Sequence, residues 1–151
     1  MNYTNKVVVV TGASSGIGEE SAAEFARRRS SVVLVSRRKE KLDDVAKKLN
    51  KYGSEILACT CDISQKQQVE QMGKTVLDKF GRIDILVNNA GFAIYGSVLD
   101  LKIEEIESQM ATNYLGMVYC TKAFLPKMLE QRSGHIVNVA SVAGSFGLPG
   151  I

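Results

Sequence analysis

Between Thr11 and Gly18 the chain reads Thr-Gly-Ala-Ser-Ser-Gly-Ile-Gly, directly after a run of four valines and directly before an amphipathic stretch. The first N–H groups of a helix lack partners within it and carry the positive end of the helix dipole. An anion placed there is therefore held by hydrogen bonds and by charge together. Side chains would block its approach. In this pattern Gly12 permits a tight exit from the strand, Gly16 lets a pyrophosphate come up to the backbone, and Gly18 lets the helix lie close on the sheet. Ser14 and Ser15 add hydroxyl donors, and Ile17 sits within the same turn. This is the chemistry of a phosphate-binding turn for a dinucleotide. The alternative, an ordinary strand-to-helix turn, is disfavoured by the valine run before it and the helix pattern after it.

Other residues could do chemistry at the same end of a parallel sheet, where open α/β folds bind ligands. Ser141 follows the run Ile136-Val137-Asn138-Val139, so its hydroxyl belongs at the carboxyl end of a strand; loop solvation is its alternative role. Ser145, nearby, is a weaker candidate. Asp62 with Ile63 follows a strand and precedes a helix, as a ligand acceptor or as a carboxylate favoured by the helix dipole. Asn88-Asn89-Ala90-Gly91 is a loop by composition. Asn113 is a poor helix former inside a helical region, which points to a local irregularity there, with a surface-facing residue as the alternative. His135, the only histidine, precedes the fifth strand at the opposite end of the sheet and is read as structural.

The elements that must position these residues are legible as a βαβ series. Short apolar, β-branched runs recur at Lys6 to Val10, Ser31 to Val35, Glu55 to Cys59, Ile83 to Val87 and His135 to Val139. They do not alternate with polar residues, which indicates strands covered on both faces in a parallel sheet between helical layers. Helical period appears at Ile17, Ser21, Ala22, Phe25 and Ala26; at Leu42, Val45, Ala46 and Leu49; and at Val69, Met72, Val76, Leu77 and Phe80. Ser64 with Gln67 reads as a capping box, and Gly81 as a helix stop. A long helical region from Ile103 to Glu130 contains Pro126, which would free the Lys122 carbonyl and bend the helix. The expected fold is a doubly wound, three-layer α/β/α Rossmann-like domain, a single domain over residues 1–151, lacking its last strands and helices.

Composition narrows the function classes. The 151 residues are 45% hydrophobic and 23% charged, as in one globular domain. The net charge of +3 comes from basic residues spread over several helices, so nucleic acid is not an expected partner. No apolar run reaches the length of a membrane span, and the few residues before the valine run form no signal sequence, so a membrane is not an expected partner either. Cys59, Cys61 and Cys120 are odd in number and lack metal-ligand spacing, so they read as small buried hydrophobes in a reducing, cytoplasmic setting, with no metal site.

The spacing Gly-x-x-x-Gly-x-Gly, with Asp62, Asn88-Asn89-Ala90-Gly91, Asn113 and Ser141 in that order, resembles the short-chain dehydrogenase/reductase family. The resemblance spans nearly the whole chain. It implies a nicotinamide dinucleotide cofactor, a small carbonyl or alcohol substrate, and a homodimer or homotetramer at full length. It further implies that Asp62 accepts from the adenine amino group, Asn88 ties neighbouring strands together, and the backbone of Asn89, Ala90 and Gly91 lines the cofactor pocket. By the same resemblance the Asn113 carbonyl positions a water in a proton relay, and Ser141 hydrogen-bonds the substrate oxygen. Where the second strand ends, a carboxylate would repel a 2′-phosphate; this chain has Ser36-Arg37-Arg38 instead. A guanidinium pairs bidentately with phosphate and stacks on adenine, so Arg37 above all makes NADP(H) the expected cofactor.

A carbonyl reductase also needs an acid with its pKa drawn toward neutrality. The family's Tyr-x-x-x-Lys occurs nowhere in the chain; it belongs about a dozen residues beyond the serine, past Ile151. The reading is a truncation, with the 151 residues expected inactive alone and the last strand expected to expose an apolar edge. Phe92, Ile94, Tyr95 and Val142 to Leu148 are candidates for an apolar substrate wall, with ordinary packing as the alternative. Two other functions fit parts of the pattern: a non-catalytic dinucleotide-binding module, and an unrelated α/β domain holding another phosphorylated ligand.

Overall fold

The computed structural model describes residues 3–147. Val7–Thr11 (β1), Ser31–Ser36 (β2), Ile56–Thr60 (β3), Ile85–Asn88 (β4) and His135–Asn138 (β5) form one parallel sheet in the order β3-β2-β1-β4-β5. The order reverses between β1 and β4, so the loops leaving these neighbours diverge and open a crevice. Helices Gly16–Arg27 (α1), Lys39–Leu49 (α2), Lys66–Phe80 (α3), Ile103–Met110 (α4) and Met117–Glu130 (α5) supply the two outer layers.

The unbroken valine runs have the cause expected for them. Val8, Val10, Val32 and Leu34 face one way, against Ala22, Ala23 and Ala26 of α1 and Leu42, Val45 and Leu49 of α2. Their neighbours Val9, Val33, Val35 and Leu86 face the other way, against Val69, Met72 and Val76 of α3 and Cys120, Phe124 and Met128 of α5. Each face thus has its own core. Three of the five strands begin one or two residues later than the apolar runs suggest. In β4 the displaced residues are Ile83 and Asp84, the second a carboxylate inside an apolar run.

Two local expectations change. Ser64 and Gln67 do not cap α3: the Asp62 carboxylate takes the Ser64 N–H at 3.0 Å and its hydroxyl at 2.8 Å, and Gln68 Oε1 accepts the Asp62 N–H at 2.9 Å. The helix begins one residue later than that box requires: Gln65 is its N-cap, and Ser64 belongs to the turn that Asp62 closes. The region from Ile103 to Glu130 is not one uniform helix, because Ala111–Gly116 takes wider π turns between α4 and α5, with Asn113 inside it. Pro126 lies within α5, and the helix continues through it. Gly81 ends α3 in the left-handed conformation, φ 67°. Among the described residues β5 pairs only with β4, and Val137 and Val139 are partly exposed beside it. No described helix is long and apolar enough to cross a membrane.

At the start of the sheet, Asp84 is almost fully buried and accepts from Val7 N–H at 2.9 Å, Lys6 Nζ at 3.0 Å and two nitrogens of Arg82. Burial pushes its carboxyl upward, but Arg82, the Val7 N–H and Lys6 together outweigh this and hold it below the usual carboxylate range. The stabilisation is therefore full above the unfolded carboxylate value, about 4, and is lost as pH falls through the lower folded value. Asp84→Asn should cost about 1–3 kcal/mol at neutral pH, toward the low end because Lys6 and Arg82 are partly solvated. In urea unfolding the variant's deficit should shrink between pH 7 and pH 3; a deficit independent of pH would show that the charge is not what matters.

Candidate functional site

The glycine turn and the loop after β4 are built as one object. Thr11, the last residue of β1, donates its hydroxyl to the Val87 carbonyl at 3.3 Å and accepts the N–H groups of Asn89 and Ala90, each at 3.0 Å. The Asn89 amide returns a hydrogen bond to the Thr11 carbonyl at 3.0 Å. A Cβ on Gly12 would stand 2.8 Å from Ala90 Cα, and one on Gly18 would stand 2.5 Å from Asn89 Nδ2 and run into the Gly12 carbonyl oxygen. Gly18 thus lets α1 close on the turn and on Asn89, more than on the sheet as expected. Gly16, at φ 57°, faces open space, with nothing within 4 Å of where its Cβ would be. Ser15 precedes α1 without capping it, and Ile17 beside it is two-thirds exposed. A free helix N-terminus, a space that a side chain would fill and an uncovered apolar residue fit a phosphate-bearing dinucleotide there.

The basic pair after β2 divides its work. Arg38 Nη2 donates to Ser14 Oγ at 2.8 Å and Ser15 Oγ at 2.9 Å, and Ser36 Oγ bonds Ser14 Oγ at 2.9 Å while accepting the Arg38 N–H at 3.2 Å. Arg37 instead reaches toward Asp62, with Nη1 4.0 Å from Oδ2. Sequence reasoning put the weight on Arg37; the side chain over the glycine turn is Arg38. Both follow the same strand, and only the direction each takes on entering α2 separates them. Ile63 turns its side chain into the core against Gly116, so only its backbone faces the crevice end of β3.

Asn113 is held in the π segment by its own amide, which accepts the Phe92 N–H at 3.0 Å and donates to the Phe92 carbonyl at 2.7 Å. Gly91 passes so close that a Cβ there would lie 3.2 Å from Asn113 Oδ1. The loop from Asn89 to Phe92 is thus pinned at one end by Thr11 and at the other by Asn113. Asn88 donates to Asn138 Oδ1 at 2.9 Å and to Thr121 Oγ1 at 3.3 Å, joining β4 to β5 and α5. This fixes the strand that leads to Ser141, whose Oγ accepts the Ala143 N–H at 3.2 Å and keeps its proton for another acceptor. Ser141 and Asn113 share this end of the sheet without a hydrogen bond between them. Of the expected apolar wall, Tyr95, Val142 and Phe146 are exposed and Phe92 and Ile94 half-buried, while Leu148 lies outside the described residues. His135 lies at the far end, its N–H on the Asp84 carbonyl.

Thr121 and Asn138 escaped sequence reasoning as parts of the site, and from the sequence Thr11 is only the first residue of the glycine turn. Thr11 and Asn138 are polar residues closing apolar strands, which is a signal, while Thr121 lies inside α5 and gives none. The thiols are free; burial pushes Cys61 up to about 11 and Cys120 up to about 12, which keeps both protonated near neutrality.

A model of the short chain dehydrogenase family matches residues 6–151. An uncharacterized oxidoreductase of Staphylococcus epidermidis is 41% identical over 139 residues, which cover 92% of this chain and 59% of the relative. One of Staphylococcus aureus is 40% identical over 141 residues, covering 93% and 60%. The chain thus spans less than two thirds of the length of these relatives. A crystal structure of NAD+-bound xylitol dehydrogenase superposes with a TM-score of 0.95 at 30% identity, covering 99% of this chain and 58% of that one. A metagenomic short-chain oxidoreductase in complex with NADP gives 0.94 at 34% identity, covering 99% and 68%.

The glycines make separable predictions. Gly18→Ala should destabilise the fold by about 1–3 kcal/mol through overpacking and abolish dinucleotide binding with it. Gly16→Ala should cost only about 1 kcal/mol, for its left-handed backbone, yet weaken dinucleotide binding at least as strongly. Thermal unfolding and a fluorescence titration with reduced dinucleotide separate the two; unchanged binding by Gly16→Ala would mean that the open space is not the phosphate site.

Proposed function

The chain belongs to the short-chain dehydrogenase family, and we propose that the whole protein is an oxidoreductase that transfers hydride between NADP(H) and a carbonyl or secondary alcohol. The observation that carries the cofactor preference is the Arg38 guanidinium held over the glycine turn by Ser14 and Ser15. No carboxylate ends β2 to repel a 2′-phosphate, and of the two hydroxyl protons on Ser14 and Ser36 only one is used between them. Arg38 and the spare hydroxyl proton would grip the phosphate, the α1 N-terminus the pyrophosphate, and Asp62 the adenine amino group. The Arg37–Asp62 approach then has to yield, leaving Arg37 to stack on the adenine face.

When bound, the dinucleotide supplies the hydride. This chain's part is to hold the acceptor and govern its proton. Ser141 donates to the substrate oxygen with the proton its own turn leaves free. Asn113 spends its side chain on Phe92, so its contribution to a proton relay comes through its backbone carbonyl. The proton donor is not among these 151 residues, which contain no Tyr-x-x-x-Lys; they are expected to bind the dinucleotide without turnover. That same observation favours a second reading, a dinucleotide-binding module without catalysis. Exposed Ile103, Met110, Tyr114 and Leu125 along α4, the π segment and α5 support a homo-oligomer, and a cytoplasmic setting agrees with the free thiols.

Arg38→Asp should weaken NADPH binding by about 10–100-fold while NADH binding changes little, since a charge-assisted phosphate contact contributes about 1.5–3 kcal/mol. Arg37→Asp should weaken both cofactors to a similar, smaller extent. Equal losses of NADPH and NADH in Arg38→Asp would remove the case for NADP. The whole protein with NADPH and a panel of ketones and aldehydes should show dinucleotide oxidation; binding without any turnover would favour the non-catalytic module.

A further inference from the structure

In this topology the strands run one way and the helices return, so every strand start and most helix ends lie at the end opposite the glycine turn. The segments there, at Lys6, 27–29, 47–51, 79–82 and 127–132, hold eleven of the 19 Lys and Arg. Only six of the 16 Asp and Glu are near them, Glu19 among these through its contact with Lys48, so a sequence whose cations look dispersed folds into a molecule with one strongly basic end. Helix dipoles account for part of this, since they favour cations in a last turn.

Two observations go further. Most cations at this end have partners: Arg27 and Arg28 on Glu24, Lys6 and Arg82 on Asp84, Lys48 on Glu19, Lys79 on Glu55, Lys127 on Glu130. Arg29, Lys51 and Arg132 are exposed, and no described carboxylate lies within ion-pair distance of them. Moreover, Arg29 and Arg132 occupy left-handed backbone, φ 64° and φ 50°, just beyond α1 and α5. The turns that follow α2 and α3 fill the same conformation with Gly53 and Gly81. A residue with a Cβ is strained there. At two of four helix ends the chain therefore accepts strain and displays an unpaired arginine.

These cations come from loops across the full width of a five-stranded sheet and from helix ends on both of its faces. With strands about 4.8 Å apart and layers about 10 Å apart, they cover a disc roughly 20 Å in each direction, not a stripe. A duplex nucleic acid meets a stripe; a plane meets a disc. We propose that this end lies on an anionic bilayer surface, resting on the headgroups without spanning, with the crevice at the other end turned to the water.

The test is partition of the whole protein onto phosphatidylcholine vesicles with and without phosphatidylserine. Binding is expected only with the anionic lipid, weakening steeply as salt rises. Arg29→Glu/Lys51→Glu/Arg132→Glu should lower the partition coefficient at least tenfold, whereas Lys41→Glu/Lys102→Glu, at the crevice end, should leave it nearly unchanged. Arg29→Gly/Arg132→Gly relieves the strain without adding acid, and should lose vesicle binding while matching or exceeding the parent's thermal stability. No partition onto anionic vesicles, equal losses in both charge-reversed variants, or tighter binding of duplex DNA than of vesicles would overturn the proposal.

Discussion

Two stretches of backbone meet at the end of β1 more closely than any side chain would allow, and the geometry of the crevice follows from that contact. The parallel pairing of β1 with β4 brings Thr11 beside Asn89 and Ala90. The threonine hydroxyl then satisfies two N–H groups that the diverging loops would otherwise leave unpaired. Because Gly12 and Gly18 carry no Cβ, α1 begins directly against this junction with its N–H groups aimed into the gap. Asn113 holds the same loop from the other side. The site is thus a product of sheet topology: only where strand order reverses do two such loops separate.

The parts of this arrangement that depend on neighbouring residues were legible in the chain. Four consecutive valines are intelligible only as a strand covered on both sides, and Asn113 inside an apolar helical pattern announced an irregularity that proved to be a π turn. What was hidden depends on residues far apart. The hydrogen bonds of Thr11 cross 78 and 79 positions to Asn89 and Ala90, and those of Lys6 and Val7 to Asp84 cross 78 and 77. Periodicity carries no information on that scale. The Ser64 and Gln67 pattern failed for another reason: Asp62, two residues before, binds the Ser64 N–H and hydroxyl in a turn of its own, and the helix starts one residue later, on Gln65. Between Arg37 and Arg38 composition offers no distinction at all.

Charge shows the same division between local and global structure. The end of the molecule with the glycine turn carries more acidic than basic residues, an unpromising field for a polyanion. Attraction there has to come from groups within hydrogen-bond reach, the α1 N–H groups and the Arg38 fork, which act at distances where solvent screens little. The opposite end has the reverse character, a broad field with several cations already satisfied by carboxylates. A tally of lysines and arginines along the chain distinguishes neither case.

The π segment between α4 and α5 has a consequence for how this gene can change length. Wider turns accommodate one residue more than an α-helix would over the same rise. Losing one codon within 111–116 would therefore leave a regular helix that covers the same rise and rotation, with its two halves still in phase. Cys120, Phe124 and Met128 would keep their place in the core and the threonine would stay with Asn88, while the widened turn that carries Asn113 to Phe92 would close. Loops normally absorb insertions and deletions; here a helix interior absorbs one, and the site draws on the extra residue.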